Sequence, residues 1–118
     1  MDIQFKTKRL QETCNDTKKR DREFGPERSR ILLKRLVQMS NAATLEEFKQ
    51  VHPRAHLLRE NRRGEWAADL DHPYRLIFEP VPYPVGEDAA GAGDAAGAIA
   101  ISAIRMVKIL EVGVDYHG

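Results

Sequence analysis

The spacing of apolar residues changes character along the chain, and each change marks an element. Ile3-Gln4-Phe5 alternates over a few residues, which predicts a short first strand. From Lys6 to Phe24 the chain is rich in Lys, Arg, Glu and Gln, with a thin apolar stripe at Leu10, Cys14 and Phe24. That pattern predicts a helix with one narrow buried edge and a broad charged face. Gly25-Pro26 breaks it, and Pro26 suits the first turn of a second helix. Ile31, Leu32, Leu33, Leu36, Val37 and Met39 give that helix a wide apolar face and make it the main core helix. Thr44-Leu45-Glu46-Glu47 has capping-box spacing and opens a short third helical turn ending near Phe48 or Lys49.

Beyond Pro53 the period shortens to two. Trp66-Ala67-Ala68-Asp69-Leu70 alternates as a half-buried strand does, and Asp71-His72-Pro73 reads as a turn. Tyr74 to Glu79 alternates again until Pro80, Pro82 and Pro84 end it. Gly86 to Ala98 holds six Ala, four Gly and three acids, a flexible low-complexity loop. Ile99 to Val112 forms a last strand, bent near Ser102, and Gly113 within Glu111-Val112-Gly113-Val114-Asp115 is placed to make a bulge. Helices first and strands afterwards predict one α+β domain over residues 1–118. An N-terminal helical hairpin packs on a small curved antiparallel sheet.

Composition narrows the setting. A single cysteine, Cys14, excludes an internal disulfide and suits a reducing compartment. No apolar run approaches a membrane span, and Met1 to Phe5 lacks a basic-then-apolar signal, so the expected location is cytoplasmic. The net charge of +1 conceals a division: residues 1–63 carry 16 Lys/Arg against 9 Asp/Glu, and residues 64–118 carry 3 against 9. A basic half of this kind fits a polyanionic partner as well as solvated helix faces.

Candidate chemistry gathers near the end of the chain. Asp115-Tyr116-His117 sets a carboxylate, a phenol and an imidazole in a row after the last strand. His56 follows Pro53-Arg54-Ala55 in a loop, and Arg75 lies on the alternating Tyr74–Glu79 strand, where Asp69 or Glu79 could pair with it. Were the polyanionic partner RNA, its cleavage without metal would need a base for the 2′-OH, an acid for the leaving 5′-oxygen and a cation for charge on phosphorus. Asp115 or either histidine suits the base, and the other histidine the acid. Arg75 suits the cation, while Tyr116 suits stacking on a nucleobase or contact with phosphate. His52 and His72 stand beside prolines and look unremarkable, and Cys14 reads as a small buried hydrophobe. No spacing of His, Cys, Asp and Glu suggests a metal site, and no cofactor is implied.

The stretch His56-Leu57-Leu58-Arg59-Glu60-Asn61-Arg62-Arg63-Gly64-Glu65-Trp66, the strand Tyr74-Arg75-Leu76-Ile77-Phe78 and the closing Val114-Asp115-Tyr116-His117 together resemble the RelE/ParE superfamily of bacterial toxins. Within it they look most like the HigB-like, or killer protein, branch. Arg59-Glu60 stands where that branch usually has Lys-Gly. The resemblance implies a microbial-RNase fold and a ribosome-dependent endoribonuclease that cleaves messenger RNA without metal. It also implies neutralisation by a helix–turn–helix, HigA-like antitoxin, with operator DNA met only through that partner. His56, Arg75, Asp115, Tyr116 and His117 take the catalytic positions. Lys8, Arg9, Lys18, Lys19, Arg20, Arg22, Arg59, Arg62 and Arg63 supply the RNA- and ribosome-binding charge. Two other readings stay open: a ParE-like poison of DNA gyrase, and an inactive antitoxin-binding or DNA-corepressor module.

Overall fold

The structure is a computed structural model that describes residues 1–58, 64–81 and 100–115. Strand β1 (Asp2–Phe5) leads into helices α1 (Lys8–Asn15), α2 (Thr17–Phe24), α3 (Pro26–Asn41) and α4 (Leu45–Val51). The one helix expected over Lys6–Phe24 is therefore two. Thr7 caps α1, its hydroxyl accepting from the Leu10 N–H at 3.0 Å. Asp16, in extended conformation, ends α1 and caps α2 by accepting from the Lys19 N–H at 2.9 Å. Aspartate is a strong N-cap because it satisfies an orphan donor and complements the positive helix end. That local gain leaves no mark on the apolar spacing.

Gly25, at φ +83°, terminates α2 with its N–H on the Asp21 carbonyl and hands the chain to Pro26 at the start of α3. The apolar face of α3 is narrower than expected. Leu32, Leu36 and Met39 are buried, whereas Leu33 and Val37 are 43% and 48% exposed. The buried stripe runs i, i+4, i+7, and positions 33 and 37 lie one step round the helix from it. Thr44 caps α4, as the capping spacing implied, while Glu47 accepts from the N–H of Ala43, one residue before the cap. The helix runs on to Val51, two residues beyond the expected end.

The second half of the chain supplies β2 (His56–Leu57), β3 (Trp66–Asp69), β4 (Tyr74–Pro80), a 3₁₀ turn at Ile101–Ala103 and β5 (Met106–Asp115). These form one sheet in the order β1-β5-β4-β3-β2. Its pairings are antiparallel except at β1, which runs parallel to β5 with Asp2 opposite Met106 and Phe5 opposite Ile109. The all-antiparallel expectation thus gives way to a mixed sheet, since alternation reports burial and says nothing of strand direction. The last strand also starts later than Ile99. Residues 101–104 turn aside, and the Ile104 carbonyl accepts the Leu45 N–H at 2.9 Å, docking this segment on the start of α4.

The main core lies between the helices and one sheet face, where Leu32, Met39, Leu45 and Phe48 meet Leu76, Phe78, Val107 and Ile109. A smaller cluster on the other face joins Leu58, Ala67 and Ile77 to Leu110 and Val114. Both register shifts in the β4–β5 ladder fall on β5 and leave Leu110 and Gly113 as extra residues. Gly113 is therefore the expected bulge, and its φ of +82° is one that glycine adopts without strain. No helix among the described residues is long and apolar enough to cross a membrane. The low-complexity segment 86–98 lies outside the described residues.

Candidate active site

His56 sits on a short strand rather than in a loop. It pairs with Ala67, which in turn pairs with Ile77. Directly opposed residues share a sheet face, so the imidazole belongs to the face away from the helices. Arg75 lies two residues from Ile77 on β4 and shares that face. Strand spacing and rise put the two α-carbons about 12 Å apart, a span that the long arginine side chain shortens. His56 Nδ1 lies 2.9 Å from the Arg54 carbonyl oxygen. A carbonyl only accepts, so Nδ1 carries the proton and the neutral ring keeps its lone pair on Nε2. In that tautomer Nε2 can act as a base.

Asp69, on β3 beside Arg75, organises the rest of this face. Its Oδ2 accepts from Arg54 Nε, and its Oδ1 lies 3.2 Å from Arg75 Nε. Oδ1 is buried and has no hydrogen bond of good geometry among the described residues, so Arg75 serves it chiefly through charge. Burial alone would raise the Asp69 pKa. The hydrogen bond from Arg54 and the charges of Arg75 and Arg54 outweigh that and hold the carboxyl below its usual range. Arg75 Nη1 also donates to the carbonyls of Pro73 and Tyr74 at 3.2 and 3.3 Å. The guanidinium is thus fixed at the edge of β4. Two arginines on one carboxylate leave the cluster with a net positive charge, suited to a phosphate. Farther along the same face Glu79 sits 3.9 Å from Lys108, which offsets its repulsion of an anion.

The other proposed residues divide. The register sets Asp115 opposite Tyr74, whose ring faces the helices, while Arg75 is opposite Val114. Asp115 is exposed at the end of β5 and the register does not bring it onto the His56–Arg75 face. Tyr116, His117, Arg59, Arg62 and Arg63 lie outside the described residues. Lys8 and Arg9 on α1 and Lys18, Lys19 and Arg22 on α2 are exposed, as a binding surface requires. They stand on the helical layer, whereas His56 occupies the outermost strand and faces away from it.

Arg20 must be removed from that surface. It is only 5% exposed, with Nε donating to Ser29 Oγ at 2.9 Å and Nη1 to the Cys14 carbonyl at 2.8 Å. It ties α2 to α3 and satisfies a carbonyl at the end of α1. Neighbouring Cys14 is almost fully buried, which pushes its thiol up to about 11 and leaves it an inert core group.

Three residues that sequence reasoning passed over matter here. His52 is 6% exposed, and its Nε2 accepts the Asp69 N–H at 3.0 Å, so it is a structural neutral imidazole behind the site. Arg54 is 71% exposed at the side chain, engages Asp69 and orients His56 through its own carbonyl. Arg28 grips Asp71 with Nε and Nη2 at 2.8 and 3.2 Å and lies 3.8 Å over the Tyr74 ring. Arg54 had a sequence signal, being basic and two residues before His56. Arg28 and His52 had none, since their partners are 43 and 17 positions away. Among the described residues no group of three or more His, Cys, Asp or Glu is placed to hold a metal ion.

Comparison with models of known protein families, with curated proteins and with solved structures found no match.

Proposed function

We propose that this chain is the toxin of a type II toxin–antitoxin system, an endoribonuclease of the RelE/ParE kind that cleaves messenger RNA in the ribosome without metal. The observation that supports it best is the shared sheet face of His56 and Arg75. There a backbone carbonyl sets the imidazole with Nε2 as acceptor, and a carboxylate fixes the guanidinium. His56 Nε2 takes the proton of the 2′-OH as its oxygen bonds to phosphorus. The P–O5′ bond breaks, His117 gives a proton to the departing oxygen, and Arg75 stabilises the pentavalent intermediate. The products are a 2′,3′-cyclic phosphate and a 5′-hydroxyl end. Tyr116 stacks on a nucleobase beside the cleaved bond, and Asp115, which the register sets off the His56–Arg75 face, takes no part in proton transfer.

In this reading the exposed cations Lys8, Arg9, Lys18, Lys19 and Arg22, with Arg59, Arg62 and Arg63, hold ribosomal and messenger RNA. A helix–turn–helix antitoxin of the HigA kind neutralises the protein, which acts in the cytoplasm. Expression without an antitoxin should arrest growth, and His56→Gln or His117→Ala should each relieve the arrest at equal protein level. Full toxicity in both variants would sink the assignment. Intact transcripts alongside broken chromosomal DNA would instead favour a gyrase poison, and normal growth with the wild-type chain an inactive antitoxin-binding module.

A further inference from the structure

Two arginines meet on Asp69, and they keep different donors for a ligand. Arg75 is the more enclosed, its side chain 16% exposed. Its Nη1 is spent on the carbonyls of Pro73 and Tyr74, and its Nε faces Asp69 Oδ1. Only Nη2 is then left for an incoming anion. Arg54 is the reverse. Its side chain is 71% exposed, Nε alone is given to Asp69 Oδ2, and Nη1 and Nη2 make no hydrogen bond among the described residues. One guanidinium would balance the carboxylate. The second leaves a positive charge over, and the arginine that solvent reaches carries it.

Arg54 also stands closer to His56 than Arg75 does. The two are two positions apart, no more than about 7 Å between α-carbons, against about 12 Å from His56 to Arg75. The Arg54 carbonyl holds His56 Nδ1, so one residue sets the imidazole with its backbone and presents a guanidinium beside it. An arginine held at Nε projects its terminal nitrogens as a fork that matches two oxygens of a phosphate.

We infer that Arg54 is a second substrate-contacting residue, whose terminal nitrogens grip the phosphodiester of single-stranded RNA next to His56. The inference rests on the proposed endoribonuclease reading and adds to it the residue that seats the substrate. Asp69 fixes the fork at its Nε, and Arg75 contributes charge and Nη2 from the other side of the same carboxylate. Such a grip acts on the bound strand and on the transition state, so its loss should weaken binding and slow cleavage together.

The test follows Arg54→Gln, Arg54→Lys, Asp69→Asn and the Arg54→Gln/Asp69→Asn pair in two assays. Titration of a fluorescent, fully 2′-O-methylated RNA strand, which offers no 2′-OH for attack, reads binding without cleavage. Single-turnover cleavage of ribosome-bound messenger RNA reads the rate, with His56→Gln as the control for the reading itself. Arg54→Gln should weaken RNA binding and reduce the slope of log affinity against log salt by about 0.7, the share of one phosphate contact on a single strand. It should also lower the saturating cleavage rate by about a hundredfold. Arg54→Lys keeps the charge and loses the fork, so it should restore the salt slope and only part of the rate. The pair separates a grip on phosphate from mere neutralisation of Asp69. With Asp69 already uncharged, Arg54→Gln should still remove the same slope and the same rate. A salt slope unchanged by Arg54→Gln, or a loss that vanishes in the Asp69→Asn background, overturns the inference. Undiminished cleavage by His56→Gln overturns the functional reading instead and leaves the RNA-binding result standing.

Discussion

Lowering the pH from about 7.5 to about 4 must at some point charge His52, and the cost can be worked from its surroundings. The ring is buried against Phe48, and Nε2 accepts the backbone N–H of Asp69, a bond that protonation destroys. Burial first, and then the positive charge of Arg35, push its pKa down to about 4 from an ordinary 6.5; the charge of Asp69 opposes this and loses. The folded state thus binds its proton later than the unfolded chain does. Stability from this group is complete above about pH 6.5, falls as pH drops toward about 4 and is flat below that. At about 1.4 kcal/mol for each tenfold difference in proton affinity, the loss is about 3 kcal/mol. A domain of this size has about 5–15 kcal/mol in all, so the change is large. Urea unfolding followed by the fluorescence of Trp66, the chain's one tryptophan, measures it. His52→Gln provides the reference, because an amide oxygen can still accept the Asp69 N–H and does not titrate. A depressed carboxylate away from His52, such as Asp71, weakens both proteins alike at the acid end. The gap between wild type and His52→Gln should shrink or reverse by about 3 kcal/mol across the range. Parallel curves would refute a buried, neutral His52.

Arg20→Ala should cost about 3 kcal/mol in the same unfolding assay, because it strands the Cys14 carbonyl and Ser29 hydroxyl in the core. Lys18→Ala and Lys19→Ala should stay within about 0.5 kcal/mol of wild type and instead reduce the salt dependence of RNA binding. Gly25→Ala should destabilise by about 1 kcal/mol, since φ is +83° and a β-carbon there has open space, so only backbone strain acts. Under the proposed mechanism, Arg75→Gln should lower the cleavage rate by about a hundred- to a thousandfold, the scale for losing a donor to transition-state charge.

How much of this could be read from residue order depends on the range of the interaction. Caps, breakers and alternation act within a few residues, so Pro26, Thr44 and the strands around Trp66 and Phe78 were legible. The same local physics at Asp16 was also in view, but helical periodicity on either side masked it. Strand direction was hidden, because Ile3 and Val107 alternate identically whether β1 is parallel or antiparallel to β5. Charge alone misled at Arg20: nothing local separates it from Lys19, and only the folded contact with Ser29, nine residues on, takes it inside. In the candidate site, Gly113 was recognisable as a bulge and Asp69 as one of two acids, with Glu79, that could pair with Arg75. The shared face of His56 and Arg75 needed the register of three strands, and the separate placement of Asp115 needed the bulge itself.

The account stands or falls on whether the chain cuts messenger RNA during translation through His56. Mapping transcript ends after induction, with translation running and with it blocked, tests this in one experiment. The expected result is new 5′-hydroxyl ends inside coding regions, present only while ribosomes are translating and lost in His56→Gln. Cleavage that persists when translation is blocked, or that His56→Gln leaves unchanged, would contradict it.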